Sequence, residues 1–170
     1  GIKLFDSTGK KLPDEVEMNI EELLENQNLI PNKSGSELGR AHKLEGIFGR
    51  YIVQVKSCFD TKYDLEGLRV VLDCANGASY KVGPMILNEL GAEVIALGIN
   101  PNGTNINEKC GSQNPASVCE KVQESRADIG LCLDGDADRL VAVDDMGEVV
   151  EGDKLIGIMA KYLIDTKVIK

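Results

Sequence analysis

Three aspartates at alternate positions, Asp134, Asp136 and Asp138, are the residues whose types and spacing most clearly indicate chemistry. Only a glycine and an alanine separate them. Two carboxylates about 4 Å apart repel by about 4 kcal/mol at an effective dielectric constant near 20. On an extended backbone, residues i, i+2 and i+4 point to one side, so we expect the three side chains to converge. The pattern predicts a site for a hard cation, and an enzyme that handles phosphate is the first interpretation.

The donor atoms indicate which cation this site would hold. Carboxylate oxygens without a nearby histidine or cysteine favour Mg²⁺ or Mn²⁺ over Zn²⁺. His42 is the only histidine in the chain, which excludes a His-based zinc site and a Ser-His-Asp triad. Three protein ligands leave coordination positions for water and for a phosphate oxygen. Arg139 follows directly and can serve either as an ion-pair partner of the acidic loop or as a contact to the phosphate.

Other interpretations of the acidic segment compete with this one. An EF-hand needs glycine at its sixth position and glutamate at its twelfth, where this chain has Arg139 and Asp145. An aspartyl-nucleophile phosphatase would attack phosphorus with Asp134, but Asp138 would crowd that carboxylate with further negative charge. A solvated turn does not explain why an apolar run passes through three spaced acids into another apolar run. The phosphatase and a non-enzymatic cation-binding module stay open as alternatives.

The acidic segment lies in a stretch of alternating strand and helix patterns. Short apolar runs predict four strands, at 68–73, 93–97, 129–133 and 140–143. Helical patterns fall between them, at 80–90 and 115–125. We therefore expect an α/β fold of three α/β/α layers with a mixed, mostly parallel four-stranded sheet. The short link between the third and fourth strands requires antiparallel pairing there. The acidic segment follows the third strand, at the carboxyl edge where open α/β sheets bind ligands.

The flanking segments predict further domains. Residues 2–5 have a strand pattern, residues 6–9 a turn pattern, and an amphipathic helix is predicted after Pro13. The remaining assignments are a polar loop at 31–39, a helix at 49–58 and a helix at 154–164. We place domain boundaries near residues 45 and 150. Residues 1–45 would end one domain, 46–150 would form the acidic-loop domain, and 151–170 would open a third. The chain starts directly in an apolar alternation without an initiator Met, so we expect a piece of a longer protein.

Composition excludes several classes of function. The chain has 19 basic and 28 acidic residues and a formal net charge of −9, so it offers no basic surface for nucleic acid and would be repelled by an anionic membrane. No apolar run approaches the length of a membrane span, and no signal-peptide pattern is present. The 5 cysteines form no C-x-x-C pair, which favours reduced thiols, with Cys74 and Cys132 as buried small hydrophobes. We expect a soluble, cytoplasmic protein with no nucleic-acid and no membrane partner.

The segment 133–140, LDGDADRL, resembles the metal loop of the α-D-phosphohexomutase superfamily. Similar segments extend over nearly the whole chain: VLDCANGASY at 71–80, LGAEVIA at 90–96, PNGTNINEKCGSQNP at 101–115 and IGLCLDGDADRLVAV at 129–143. The acidic loop by itself indicates only the superfamily. The segments NGTNIN and CGS, at 102–107 and 110–112, favour the phosphoglucosamine branch over the phosphomannose and phosphoglucose branches.

This resemblance implies a four-domain phosphohexomutase that acts on a phosphosugar. It would interconvert glucosamine 6-phosphate and glucosamine 1-phosphate through a phosphoserine and a bound hexose 1,6-bisphosphate, which also serves as activator. Mg²⁺ would bridge the phosphoserine and the three aspartates Asp134, Asp136 and Asp138, and Arg139 would contact the phosphate region. Phosphomannomutase or phosphoglucomutase activity is the alternative within the superfamily, and the oligomeric state is left open.

Lys3 is a separate candidate that the resemblance identifies. The segment Gly1-Ile2-Lys3 matches the end of a family segment whose lysine lies beside the phosphoserine and is a candidate general acid or base. A solvated lysine at a strand edge is the alternative. The family's serine loop, its sugar-recognition loop and its phosphate-binding fourth domain have no counterpart in these 170 residues. We therefore expect that this chain alone does not turn over substrate.

Overall fold

The computed structural model describes residues 3–169, which divide into two units between Leu44 and Glu45. The first unit contains the helix α1, Asp14–Glu25, which begins after Pro13 as predicted. Acidic residues in its first turn complement the positive end of the helix dipole. Two short 3₁₀ turns follow, at Gln27–Leu29 and Gly35–Glu37.

The predicted strand at the start of the chain is wrong for the residues described. Phe5 forms only an isolated antiparallel bridge with Lys11, across a turn that the Gly9 N–H closes on the Asp6 carbonyl at 3.0 Å. Ile2 lies outside the described residues. The carboxylate of Asp6 accepts the backbone N–H groups of Thr8 and Lys10 and the Thr8 hydroxyl, which lowers its pKa. A turn that the Asp6 side chain stabilises therefore lies where the strand was predicted.

A five-stranded sheet organises the second unit, with the spatial order β2-β1-β3-β4-β5. Its strands are β1 Arg69–Asp73, β2 Glu93–Leu97, β3 Ile129–Leu133, β4 Leu140–Val143 and β5 Val149–Val150. The strand β1 is parallel to both β2 and β3, whereas β3–β4 and β4–β5 are antiparallel. The mixed α/β sheet with an antiparallel pairing after the third strand is confirmed.

The predicted number of strands is corrected from four to five. Val149 and Val150 pair with Val143 and Ala142 of β4 across the turn at Asp145-Met146-Gly147. A two-residue strand is too short to show the alternation by which strands are recognised in a sequence.

Helices cover both faces of the sheet because successive strand residues point to opposite sides. On one face, Val118 and Val122 of α4, Ala116–Ser125, pack with Val71, Cys132 and Val143, all fully buried. On the other face, Leu72 lies against α3, Val82–Glu89, which follows the 3₁₀ turn Ala78–Tyr80. The helices of this unit begin and end within about two residues of the predicted positions.

Two further helices complete the second unit. The helix α2, Ile47–Lys56, packs on α3, and the Lys56 ammonium pairs with the Glu89 carboxylate at 2.9 Å. The ammonium of Lys81, just before α3, lies 5.6 Å from the centre of the Phe48 ring of α2. The helix α5, Gly152–Asp165, ends the unit. No helix among residues 3–169 is long and apolar enough to cross a bilayer.

Candidate functional site

Three loops meet at the carboxyl edge of the parallel strands. They are residues 74–80 after β1, 98–115 after β2 and 134–139 after β3. Because the three strands run in one direction, their carboxyl ends share this edge. The first loop is bonded to the second through the Asn76 N–H, which donates to the Gly98 carbonyl at 2.7 Å. It is bonded to the third through the Ala78 N–H, which donates to the Gly135 carbonyl at 2.8 Å. The acidic loop therefore lies at the predicted edge and is joined to its neighbours by backbone bonds.

The acidic loop is a tight turn, so the predicted extended backbone is wrong. The Ala137 N–H donates to the Asp134 carbonyl at 3.0 Å, and Ala137 has a left-handed φ of 61°. The Asp134 side chain stabilises this turn, since its Oδ1 accepts the N–H groups of Asp138 and Arg139, both at 3.1 Å. The alternating spacing consequently does not impose the convergence that an extended strand would.

The three carboxylates differ in their surroundings. Asp134 is buried, whereas Asp136 and Asp138 are exposed. Burial raises the pKa of Asp134, but the N–H and the charge of Arg139 together with the N–H of Asp138 outweigh burial and hold that pKa below its usual value. Across residues 3–169, no three acidic, histidine or cysteine side chains are gathered closely enough to form a metal cluster. The turn thus carries one carboxylate held in its ionised form and two that face solvent.

The chemistry of this donor set fits a hard cation. All three side chains supply carboxylate oxygens on one turn, and the free cysteine nearest in sequence, Cys132, is buried within β3 and faces α4. The Oδ1 atom of Asp134 is occupied by two backbone N–H groups, which leaves its Oδ2 atom as the oxygen facing Arg139. The assignment of a metal to Asp134, Asp136 and Asp138 stays a prediction.

Arg139 pairs weakly with the acidic loop. Its Nε atom lies 3.7 Å from Oδ2 of Asp134 and 3.8 Å from Oδ1 of Asp138, while 70% of its side chain is exposed. Exposed ion pairs of this length contribute little free energy. The guanidinium can therefore leave the carboxylates at small cost, which is compatible with both roles considered from the sequence.

Lys3 belongs to the first unit and is exposed. The acidic loop belongs to the second unit. The role of Lys3 as general acid or base therefore stays a prediction.

Sequence reasoning missed the residues that hold the three loops together. Asp73, the last residue of β1, is fully buried and accepts the Ala75 N–H at 2.8 Å and the Gly111 N–H at 2.6 Å. Asn76 accepts the Asn100 N–H at 3.0 Å with its side-chain oxygen. The available signal was an acid that ends an apolar strand and is followed by Asn-Gly, a combination typical of a loop built around side-chain bonds.

The chain is similar to a known protein family, to curated sequences and to solved structures. The family model described as phosphoglucomutase/phosphomannomutase, alpha/beta/alpha domain II, matches residues 49–147. Phosphoglucosamine mutase of Aliarcobacter butzleri is 49% identical over 100% of this chain and 39% of its own length. That of Lawsonia intracellularis is 53% identical over 96% of this chain and 37% of its own length. The chain thus spans less than two fifths of the length of these relatives.

Two solved structures share the fold at low identity. A proposed phosphomannomutase from Thermus thermophilus superposes with a TM-score of 0.65 at 19% identity, covering 95% of this chain and 37% of that one. A phosphoglucomutase/phosphomannomutase family protein from Burkholderia thailandensis gives a TM-score of 0.63 at 18% identity, covering 91% of this chain and 32% of that one. Because the family model covers most of the sheet and the acidic loop, the chain belongs to the phosphoglucomutase/phosphomannomutase family and carries its α/β/α domain II.

Proposed function

We propose that the complete protein is a phosphoglucosamine mutase and that this chain supplies its cation-binding loop. The reaction would interconvert glucosamine 6-phosphate and glucosamine 1-phosphate through a phosphoserine and a bound 1,6-bisphosphate. The observation that carries the proposal is the acidic loop, which places three carboxylates and an arginine at the carboxyl edge of the sheet. The identity of about one half to curated phosphoglucosamine mutases supports this branch of the family.

The acidic loop would act as the ligand set for Mg²⁺. Asp134 would bind through Oδ2, since its Oδ1 atom is engaged by the loop backbone, and Asp136 and Asp138 would turn their exposed carboxylates inward. When bound, the ion would neutralise charge on the phosphoryl group in transfer. The backbone donors that lower the pKa of Asp134 favour its carboxylate form, which is the form that binds a cation.

Arg139 and Lys3 would handle the phosphate and the proton. Once the carboxylates face a cation, the Arg139 guanidinium would lose its pairing partners. It could then donate two parallel N–H bonds to the oxygens of a phosphate group. Lys3 would move a proton to or from the sugar hydroxyl that accepts or releases the phosphoryl group. The phosphoserine that completes the cation's surroundings would come from outside these 170 residues. We therefore expect no turnover by this chain alone.

Asp136→Asn in the complete protein tests the proposal. The exchange removes one ligand charge at an exposed position, so the fold should be retained while mutase activity at ordinary Mg²⁺ falls by more than about tenfold. The matched control is Asp145→Asn, which removes an exposed charge in the turn between β4 and β5 and should leave activity unchanged.

Activity is measured with the 6-phosphates of glucosamine, glucose and mannose, each followed to its 1-phosphate. Preference for glucosamine 6-phosphate supports the proposed branch, and preference for another sugar would assign the protein to the phosphoglucomutase or phosphomannomutase branch. Near-normal activity of the Asp136→Asn variant would refute the role of the acidic loop. Release of inorganic phosphate in place of an isomerised sugar would favour the phosphatase alternative.

A further inference from the structure

Asp73 is a buried carboxylate whose position no ion pair explains. It is 0% exposed, and within the described part of the chain no lysine or arginine forms a salt bridge with it. Its stabilisation comes from backbone donors, because Oδ1 accepts the Ala75 N–H and Oδ2 accepts the Gly111 N–H. A buried carboxylate is costly unless such bonds compensate it, and an apolar residue at this position would leave both N–H groups without an acceptor.

Hydrogen bonds connect the Oδ2 atom of Asp73 to the backbone on the amino-terminal side of the acidic loop. Oδ2 accepts the N–H of Gly111, whose φ of 75° brings this residue against the Leu133 carbonyl. The following Ser112 N–H donates to that carbonyl at 3.0 Å. Leu133 is the last residue of β3 and directly precedes Asp134. The Oδ2 atom of Asp73 is therefore connected through Gly111 and Ser112 to Leu133, the residue before the first aspartate of the acidic loop.

Hydrogen bonds connect the Oδ1 atom of Asp73 to the backbone on the carboxyl-terminal side of Asp134. Oδ1 accepts the N–H of Ala75. This residue has a left-handed φ of 53° and is followed by Asn76 with a φ of 49°. These two strained residues turn the chain so that Gly77 packs on Gly135 and Ala78 donates to the Gly135 carbonyl. Gly135 directly follows Asp134. The backbone before and after Asp134 is therefore hydrogen-bonded to two segments, 111–112 and 75–78. The side chain of Asp73 accepts one N–H group from each of these segments.

We propose that Asp73 is a positioning residue for the cation site, which fixes the acidic loop from behind through Ala75 and Gly111. This inference rests on the proposed function, since it takes the acidic loop to bind a divalent cation. Asp73 itself is too deeply buried to be a ligand. It acts on the ligands through the backbone, in the way that groups outside the coordination sphere orient the ligands of other metal sites.

The experiment measures Mn²⁺ binding by the 170-residue chain, from water-proton relaxation and from broadening of the amide resonances of residues 134–139. In Asp73→Asn, an amide NH₂ faces one of the two backbone N–H donors, so that bond is lost. We expect the dissociation constant for Mn²⁺ to rise on the order of tenfold. Val122→Ala is the control, because it also removes buried contacts but lies on α4, away from the three loops. It should lower the melting temperature and leave Mn²⁺ affinity unchanged.

A second variant separates positioning from charge. In Gly98→Ala the new Cβ would press on Oδ1 of Asp73 and would lie 2.8 Å from the Ala75 nitrogen, while the Asp73 side chain itself is unchanged. A weaker Mn²⁺ affinity in this variant supports positioning, and it also replaces Asp73→Asn as the test if that variant does not fold. Affinity like that of the wild type in the folded variants would overturn the inference. Mn²⁺ binding that Asp136→Asn does not reduce would instead overturn the proposed function and, with it, the premise of the inference.

Discussion

Replacing Gly77 with alanine should force apart the first and third loops of the candidate site. Gly77 has a φ of −104°, which any residue can adopt, so only space requires glycine at this position. An added Cβ would lie 2.6 Å from the Cα atom of Gly135 and 2.7 Å from its carbonyl carbon, and closer still to its carbonyl oxygen. These are backbone atoms, which cannot rotate aside as the tip of a side chain can. The loop 74–80 must therefore shift.

The size of the effect follows from the contacts that are lost. Overpacking a close contact costs about 1–3 kcal/mol of unfolding free energy. Loss of the bond between the Ala78 N–H and the Gly135 carbonyl, 2.8 Å long, adds about 1 kcal/mol. We expect Gly77→Ala to destabilise the second unit by about 2–4 kcal/mol. Gly157→Ala is the matched control, because a Cβ on this α5 residue meets nothing within 4 Å and should be neutral or stabilising by up to about 1 kcal/mol.

Urea unfolding followed by tyrosine fluorescence measures both changes. All 4 tyrosines lie in the unit Glu45–Lys170, so the signal reports on that unit alone. The unfolding midpoint of Gly77→Ala should fall, whereas that of Gly157→Ala should stay or rise. An unfolding free energy for Gly77→Ala within about 0.5 kcal/mol of the wild type would refute the close packing of the two loops.

Two further predictions concern titratable groups of the second unit. Burial, together with the charges of Asp73 and Cys119, raises the pKa of Cys132 to about 12, so iodoacetamide at about pH 8 should label exposed Cys58 and spare Cys132 until the chain unfolds. Mass spectrometry of the peptides checks this, and early labelling of Cys132 would contradict it. The pKa of Asp134 is lowered in the folded state, so its stabilising effect is present above its unfolded value of 3.8 and is lost as pH falls through the folded value. Asp134→Asn should therefore lower the urea midpoint at neutral pH, and the difference from the wild type should shrink as pH falls below 3.8; an equal loss at neutral and acidic pH would argue against this charge effect.

Much of the sheet could be predicted because each strand is a short apolar run bounded by polar residues. The strands β2, β3 and β4 have the predicted bounds, and β1 begins one residue later than predicted. β5 could not be predicted, since it exists only through its pairing with β4. The start of α2 was placed two residues late, because Gly46 begins it with a left-handed φ of 72° that no local pattern indicates.

The sequence by itself determined the chemistry and the location of the candidate site. The type and number of Asp134, Asp136 and Asp138 predict oxygen ligands for a hard cation, and the preceding apolar run places them at the carboxyl edge of the sheet. Both conclusions depend on residues that are adjacent in the chain, where periodicity and side-chain chemistry are directly readable.

Only the tertiary structure decided the conformation of that site and what supports it. The acidic segment is joined to the loop after β1 by the Ala78 N–H, which donates to the Gly135 carbonyl, and within the turn the Asp134 carboxylate accepts two N–H groups of its own loop. The supports, Asp73 and Gly77, lie far before this loop in the sequence and reach it because β1 and β3 pair in parallel. Pairing between distant strands follows from burial of the whole sheet, so no local pattern encodes which residues it brings together.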